Sequence, residues 1–519
     1  MIGNGPVGQT AALLLARWRI PVVLLDARPE RELVGSKSIC QQRDVLDIWE
    51  SVGAGAIIAR EGVTWTTART YYRDHELFSG TFEDAGVSPF PPFVNISQSR
   101  TEQILDERIA AQPLIDVRWG HRVTGIEQGP DGVRLTCTTA AGEVELTAGY
   151  AVACPGSHGD DIRAMLGVTF DGHSFDDRFL ICDIRANLPD AAQERRFYFD
   201  PPGNPGRQVL VHPCPDSTFR IDWQVPDGFD LAEEERTGRL DQRIRSVIGD
   251  ADYEVVWRSV YRFHSRVASR MRVGRVLLAG DGAHLVAPFG ARGLNSGVAD
   301  AENAAWKIAF VRHGWAPEAL LESYHAERHA AALENLAVTG ATMRFLVPRT
   351  EQERQERQDI LERAGHDPAA AAAVDSGRLS EPFWYVDSPL TTPDPRRPFA
   401  GRPPKGRVPR PAPGILLPDL PTPAGRLREL CRAGITLLVG PGVDPERVRG
   451  PVAPAGVPVR VLTFDDVSPD LAGVLQAEPD EVWVIRPDAY VAAVLKQPNA
   501  ADVAAAGARL LACETAPVA

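Results

Sequence analysis

What this chain lacks narrows it first. Its seven cysteines, Cys40, Cys137, Cys154, Cys182, Cys214, Cys431 and Cys513, are scattered over 519 residues. None forms a C-x-x-C pair, and no cysteine–histidine cluster has zinc spacing. That excludes a disulfide scaffold and a zinc module. An odd, dispersed count suits a reducing compartment, so a cytoplasmic protein is expected. No apolar run is long enough to cross a bilayer, and no basic segment leads into an apolar one as in a signal peptide. Positive charge is also short, with 56 Lys and Arg against 69 Asp and Glu, a net of -13. Nucleic acid and anionic membrane surfaces are therefore not expected as main partners. Neither G-x-S-x-G nor H-E-x-x-H occurs, so the usual hydrolase constellations are missing.

What is present is organised around the first thirty residues. Gly3-Asn4-Gly5-Pro6-Val7-Gly8 is a G-x-G-x-x-G run. A helical pattern follows from Thr10 to Trp18, then a strand, Val22-Val23-Leu24-Leu25, that ends in Asp26. Turn, helix, strand and acid in that order bind a dinucleotide. Gly3 allows the tight turn, Gly5 lets the backbone approach a pyrophosphate, and Gly8 lets the helix pack closely. The helix N-terminus offers N–H groups and partial positive charge to phosphates. Asp26 stands where a carboxylate accepts hydrogen bonds from a ribose. Only Met1 and Ile2 precede Gly3, so the first strand is expected to be cut short.

The length exceeds one core, and two or three domains are expected. A polar segment, Ala27 to Lys37, leads to a helical pattern from Gln41 to Val52 with Arg43 in its first turn. Val63 to Phe82 is strand-rich. Val94 to Gln98 reads as a short strand, followed by a helix capped by Ser99 with Glu102 as its capping-box partner. Three strand signals lie between Val117 and Thr138, and a buried-type strand, Tyr150 to Cys154, ends at Pro155-Gly156. Residues from Val168 to His264 read as β, with one helical insert from Leu231 to Ile248. Trp223, Phe197, Tyr198 and Phe199 lie on these strands, either as a roof over a ligand or as sheet packing.

A second buried strand, Val276 to Ala279, runs into Gly280-Asp281. The loop Gly282 to Gly293 follows, then a helix expected to start near Asn295 or Ser296. His284 beside this loop reads better as a packed residue than as a catalytic one. From Pro389 to Pro423 the chain is dense in proline, glycine and arginine, which marks an extended linker or surface wrap. Strands at Ile435 to Val439, Val457 to Thr463 and Val482 to Arg486, with flanking helices, form a last small α/β unit. Gly53-Ala54-Gly55 and Gly440-Pro441-Gly442 begin like further nucleotide loops but do not complete one.

Assembled, these stretches resemble the FAD-dependent aromatic hydroxylases, the p-hydroxybenzoate hydroxylase-like flavoprotein monooxygenases. The most specific part is Gly280-Asp281-Gly282-Ala283-His284 followed by Pro288 to Gly297, in order with the Gly3–Gly8 loop. The linker and Val482 to Val491 resemble the thioredoxin-like extension of the larger members. The resemblance implies an α/β fold: a Rossmann-like FAD-binding domain, an inserted β-sheet substrate domain and a C-terminal thioredoxin-like domain. It divides the chain into 1–62, 94–167 and 268–388 for FAD, 63–93 and 168–267 for substrate, 389–423 as linker, and 424–519 without C-x-x-C. It places Gly3, Gly5, Pro6, Val7, Gly8, Asp26 and Arg28 on the ADP part of FAD. Arg43, Gln98, Asp281, Pro288, Gly293, Leu294 and Asn295 complete the implied FAD set; no metal is implied. By the same resemblance, NAD(P)H reduces the flavin transiently and O2 adds at its C4a atom. The hydroperoxide then hydroxylates a phenolic or aromatic substrate, such as a polyketide or hydroxyphenyl acid. The last domain would serve packing or assembly, with a homodimer left open. Pro155 stands where the family usually has an aspartate, which removes a carboxylate and a backbone donor. Two readings stay beside this one: a degenerate FAD-binding paralogue, and a flavin halogenase, whose W-x-W-x-I-P motif is missing here.

Overall fold

The computed structural model describes residues 1–33, 35, 38–81, 88–402 and 409–513. Lys37 and Phe82, expected ends of the polar and strand-rich segments, lie outside them, as do 403–408 of the linker and 514–519.

The nucleotide unit is built on a parallel sheet. Val22–Leu25 pairs with Ile115–Arg118, and Ala151–Ala153 with Val276–Leu278. Ile2 bridges the two pairs through parallel contacts with Leu25 and Ala153. Leu24, Leu25, Val152, Ala153, Leu277 and Leu278 are all buried. Burial on both faces of a parallel sheet favours such unbroken apolar runs. The helix Pro6–Arg17 packs on the sheet, and Gln98–Ala110 and Arg292–Arg312 pack against that helix. A separate antiparallel ribbon comprises Arg122–Gln128, Val133–Thr139 and Gly142–Ala148. Its third strand was not foreseen, because Gly142 to Ala148 is short, polar and largely exposed.

Above this unit lies an eight-stranded sheet. Two long strands, Phe170–Ala186 and Tyr253–Ala268, rise together from the nucleotide unit. Thr218–Val225, Gln208–Cys214 and Glu194–Phe199 follow, and Thr67–Tyr72 joins in parallel beside Glu194–Phe199. The far face is covered by helices at 231–248. They are two, Leu231–Arg236 and Arg239–Ile248, not one. Gly238, in a left-handed conformation at φ 74°, separates them, a geometry that glycine adopts without strain.

Among the described residues, 374–402 and 409–420 form no helix and wrap the surface. The wrap is pinned inward: Arg397 is buried and its Nη2 lies 2.9 Å from Glu481. The last unit is a four-stranded sheet. Ile435–Val439 is parallel to Val459–Thr463 and antiparallel to Glu481–Ile485, which pairs antiparallel with Val491–Lys496. This order and sense is the thioredoxin-like one.

Three local expectations are corrected. The helix at 98–110 is capped by Ser97, whose hydroxyl accepts from the Arg100 N–H at 3.2 Å, not by Ser99. Glu102 therefore lies outside a capping box and pairs with Arg31 at 2.7 Å. Gln41 and Gln42 belong to a strand, Cys40–Gln42, paired with Phe93–Asn95, and the helix begins at Arg43. The long helix after the second loop starts at Arg292, three residues before Asn295. Ala291, left-handed at φ 55°, turns the chain into it.

Candidate active site

The first loop has the geometry its glycines predict. Gly3 sits at φ +103°, and a Cβ there would lie 2.2 Å from the Cys154 carbonyl oxygen. A Cβ on Gly8 would lie 2.0 Å from the Gly3 oxygen, so only glycine lets helix and strand approach this closely. A Cβ on Gly5 would meet nothing within 4 Å, because Gly5 faces open cavity. A phosphate can reach that backbone, and the first N–H groups of a helix lack internal partners. Asp26 is held by Asn4 N–H at 2.9 Å and by Arg28, whose Nη2 lies 2.9 Å away. Burial alone would raise its pKa, but hydrogen bonds from Arg28 and Asn4 hold the carboxyl below its ordinary range.

The second loop is tied to the first. Gly280, at φ +61°, packs on Val7: a Cβ there would lie 3.0 Å from Val7 Cγ2. Its N–H donates to Asp300 at 3.0 Å. Asp300, fully buried, also meets His284 Nε2 at 2.7 Å and Arg328 Nε at 2.6 Å. His284 is thus a packed, hydrogen-bonded residue that holds the loop. Arg163, also buried, donates to the Gly282 carbonyl at 2.9 Å and pairs with Asp160. Pro155 packs against Gly282 and brings no carboxylate, whereas Asp161 lines the cavity.

One cavity of about 740 Å³ joins these loops to the roof sheet. Of the residues expected at the cofactor, Gly3, Gly5, Pro6, Val7, Gly8, Asp26, Arg28, Gln98, Asp281, Pro288, Gly293 and Leu294 line it. Arg43 and Asn295 do not. Arg43 opens its helix, with its N–H on the Pro92 carbonyl at 3.1 Å. Asn295 latches the strand at 40–42: it donates to the Cys40 carbonyl at 3.0 Å and accepts from the Gln42 N–H at 3.0 Å. The helix N-terminus at the cavity is instead made by Arg292, Gly293 and Leu294.

Of the two readings of the roof aromatics, sheet packing holds. Trp223 and Tyr198 lie on the far face among Val209, Val211 and Leu240. Phe197 and Phe199 pack beside the cavity with Met343 and Leu346. Its aromatic walls are Trp65, Phe179, Phe263 and Phe289. Sequence reasoning also missed three polar lining residues, Arg195, His212 and Asp222. The available signal was a polar residue on each of three neighbouring strands. Which face it took required the register. Among the described residues no cluster of His, Cys, Asp and Glu could hold a metal, and no helix is long and apolar enough to cross a membrane.

A nucleotide unit with two coupled glycine loops under a sheet roof defines a flavoprotein of the oxygenase type. The family described as the FAD binding domain matches residues 1–339. The chain belongs to that family, the FAD-dependent aromatic hydroxylases of the flavoprotein monooxygenases. It is 31% identical over 358 residues to a flavin-dependent monooxygenase of Mycobacteroides abscessus, covering 65% of this chain and 72% of that one. It is 29% identical over 337 residues to a probable NADH-specific resorcinol 4-hydroxylase of Rhodococcus jostii, covering 63% of this chain and 61% of that one. Among solved structures, the flavin-dependent monooxygenase PieE, in complex with FAD and substrate, superposes with a TM-score of 0.85 at 22% identity. That match covers 99% of this chain and 98% of that one. Aklavinone-11 hydroxylase with FAD and aklavinone gives 0.78 at 22% identity, over 98% of both chains.

Proposed function

We propose that this chain hydroxylates a phenolic ring with O2, drawing electrons from NADH or NADPH through FAD. The observation that carries this reading is the single cavity running from the two glycine loops to the roof sheet. The loop Gly3–Gly8 and Asp26 would take the ADP part, and Asp281 with the turn Pro288–Leu294 the flavin part. Gln98 stands beside them. Its Oε1 accepts from the Ser38 N–H at 3.2 Å, and its Nε2 donates to Glu102 at 2.9 Å. These residues fit an anionic dinucleotide: open backbone at Gly5, a helix N-terminus at each loop, and a carboxylate at the ribose end. Arg43 and Asn295 would act on the cofactor indirectly, through the strand and loop they anchor.

Bound FAD supplies the redox chemistry, accepting a hydride and activating O2 for transfer of one oxygen atom. The protein supplies position and field. The N-terminus of the helix at 292–312 lends partial positive charge where negative charge develops. Phe179, Phe263 and Phe289 exclude water and offer flat apolar walls. The sequence completes no second nucleotide loop, which supports a nicotinamide that visits and leaves. The domain roles follow the same division: residues 1–62, 94–167 and 268–388 for FAD, 63–93 and 168–267 for substrate, and 424–519 for packing. The names of the relatives, one acting on resorcinol, support a phenolic substrate class.

The purified protein should be yellow, with FAD that dissociates on denaturation. Asp281→Ala should weaken FAD binding roughly 10- to 100-fold, the cost of removing a charged hydrogen-bonding group being roughly 1.5–3 kcal/mol. Protein that stays colourless after reconstitution with excess FAD would contradict this reading and favour a degenerate paralogue.

A further inference from the structure

The roof carries charge that the FAD site does not use. Arg195, His212 and Asp222 lie on three adjacent strands, 194–199, 208–214 and 218–225. His212 faces Arg220 across one ladder, and Asp222 stands one diagonal step away, opposite Leu210. Continuing the Arg196–Val211 register puts Arg195 opposite His212. All three line the cavity.

Each has one buried polar atom without a partner, while the side chains of His212 and Asp222 keep 14% and 19% exposure. Arg195 Nε, His212 Nδ1 and Asp222 Oδ1 are buried atoms without a hydrogen-bond partner. Arg195 Nη2 donates to the Ser376 carbonyl at 3.3 Å, and its guanidinium lies 5.5 Å from the centre of the Phe197 ring. His212 Nε2 lies 3.9 Å from Asp222 Oδ2, one small adjustment from a hydrogen bond. The neighbouring Arg220 is neutralised by Asp183, bound through two hydrogen bonds of 2.7 and 2.8 Å. Buried polar atoms normally find partners, and those that do not call for an explanation. All three residues line the cavity, where a ligand hydroxyl can meet their remaining polar atoms.

We propose that Arg195, His212 and Asp222 receive and ionise the acidic hydroxyl of a phenolic substrate. This rests on the hydroxylase reading above and names the groups that activate its substrate. The phenol O–H gives its proton to Asp222 Oδ2, beside which His212 Nε2 stands at 3.9 Å. Imidazole is neutral before and after, Asp222 ends protonated, and the phenolate oxygen pairs with the Arg195 guanidinium. Proton and charge balance without a further reactant. A phenolate pushes electrons into the ring at the carbon to be hydroxylated.

The electrostatics agree. Burial keeps His212 neutral, with Arg195 and Arg220 adding to the effect. Burial raises the Asp222 carboxyl to about 7, with Arg220 and Arg195 opposing and Asp183 reinforcing. The other titratable groups facing the cluster are Cys40 and Cys214, whose thiols burial pushes up to about 12, so they stay neutral; Cys182, also pushed up to about 12, lies on the far face.

The test is calorimetric titration of the FAD-loaded full chain with 4-nitrophenol, at a pH above that of Asp222 and in buffers of different ionisation enthalpy. The anion should bind with uptake of close to one proton, because Asp222 must protonate beside it. Asp222→Asn should retain binding and lose the proton uptake. Arg195→Met should weaken 4-nitrophenolate at least tenfold and leave 4-nitroanisole unchanged. FAD absorbance and melting report that each variant folds, and the wild-type proton count stands without any variant. Anion binding without proton uptake, no binding of 4-nitrophenol, or equal loss of phenol and anisole in Arg195→Met would overturn the proposal. None of these readouts needs turnover, so they fail separately from the hydroxylase reading.

Discussion

Asp300 is the residue on which the second loop hangs. It holds the Gly280 N–H, His284 and Arg328 together from a fully buried position. Burial alone would raise its pKa, but His284 and Arg328 beside it outweigh that and hold the carboxyl at about 2, against 3.8. Its folded pKa is therefore depressed. The stabilisation is present above the unfolded value and is lost as pH falls from 3.8 toward 2. Asp300→Asn should destabilise the protein by about 3–5 kcal/mol, the cost of stranding a buried charge. It should also flatten the acid limb of the stability–pH curve, measured by melting from neutral to low pH. An unchanged acid limb would remove Asp300 from the account. The glycines of the first loop could be read from sequence, because turn, approach and packing are local demands. Asp300 stands in a stretch that continues the family signature, but its role was not legible, since its partner Arg328 comes from another helix and only folding joins them. The same holds for Arg195, His212 and Asp222, which needed the strand register.

At the scale of elements, the last unit is tied to the cofactor loop by a buried chain of charges. Arg486 lies 2.6 Å from Glu327, which also holds Lys307 at 2.6 Å and Asn303 at 2.7 Å. Asn303 and Arg328 both donate to the Tyr385 hydroxyl, at 3.3 and 2.9 Å, and Arg328 continues to Asp300. Asp488 adds the Trp306 indole at 3.0 Å. Such a chain couples docking of the last unit to the shape of the Gly280 loop. Arg486→Met should cost about 3–5 kcal/mol in stability, and FAD should dissociate faster in gel filtration. A normal FAD content after destabilisation would show that the last unit packs without supporting the site. Long periodic elements were legible: the helices near 98–110 and 292–312 and the buried strands. Boundaries set by single residues were not. The turn at Ala291 and the break at Gly238 depend on left-handed backbone that sequence patterns do not reveal.

At the scale of the molecule, a discontinuous design emerges. The chain leaves the nucleotide unit, builds a roof and returns, so one cavity has walls from both. The order of the two loops announced this plan, because both motifs rest on strands of one parallel sheet, with Ala151–Ala153 between them. The lining of the roof was not legible, since alternation tells that a strand has two faces but not which one meets a ligand. The proposed reaction in this cavity is oxygen transfer to an aromatic ring. The direct measurement is mass spectrometry of products from a panel of phenols, given the FAD-loaded protein, O2, and NADH or NADPH. A phenol should stimulate nicotinamide oxidation and yield a product heavier by one oxygen atom. A chlorinated product, or a flavin that neither nicotinamide reduces, would contradict it.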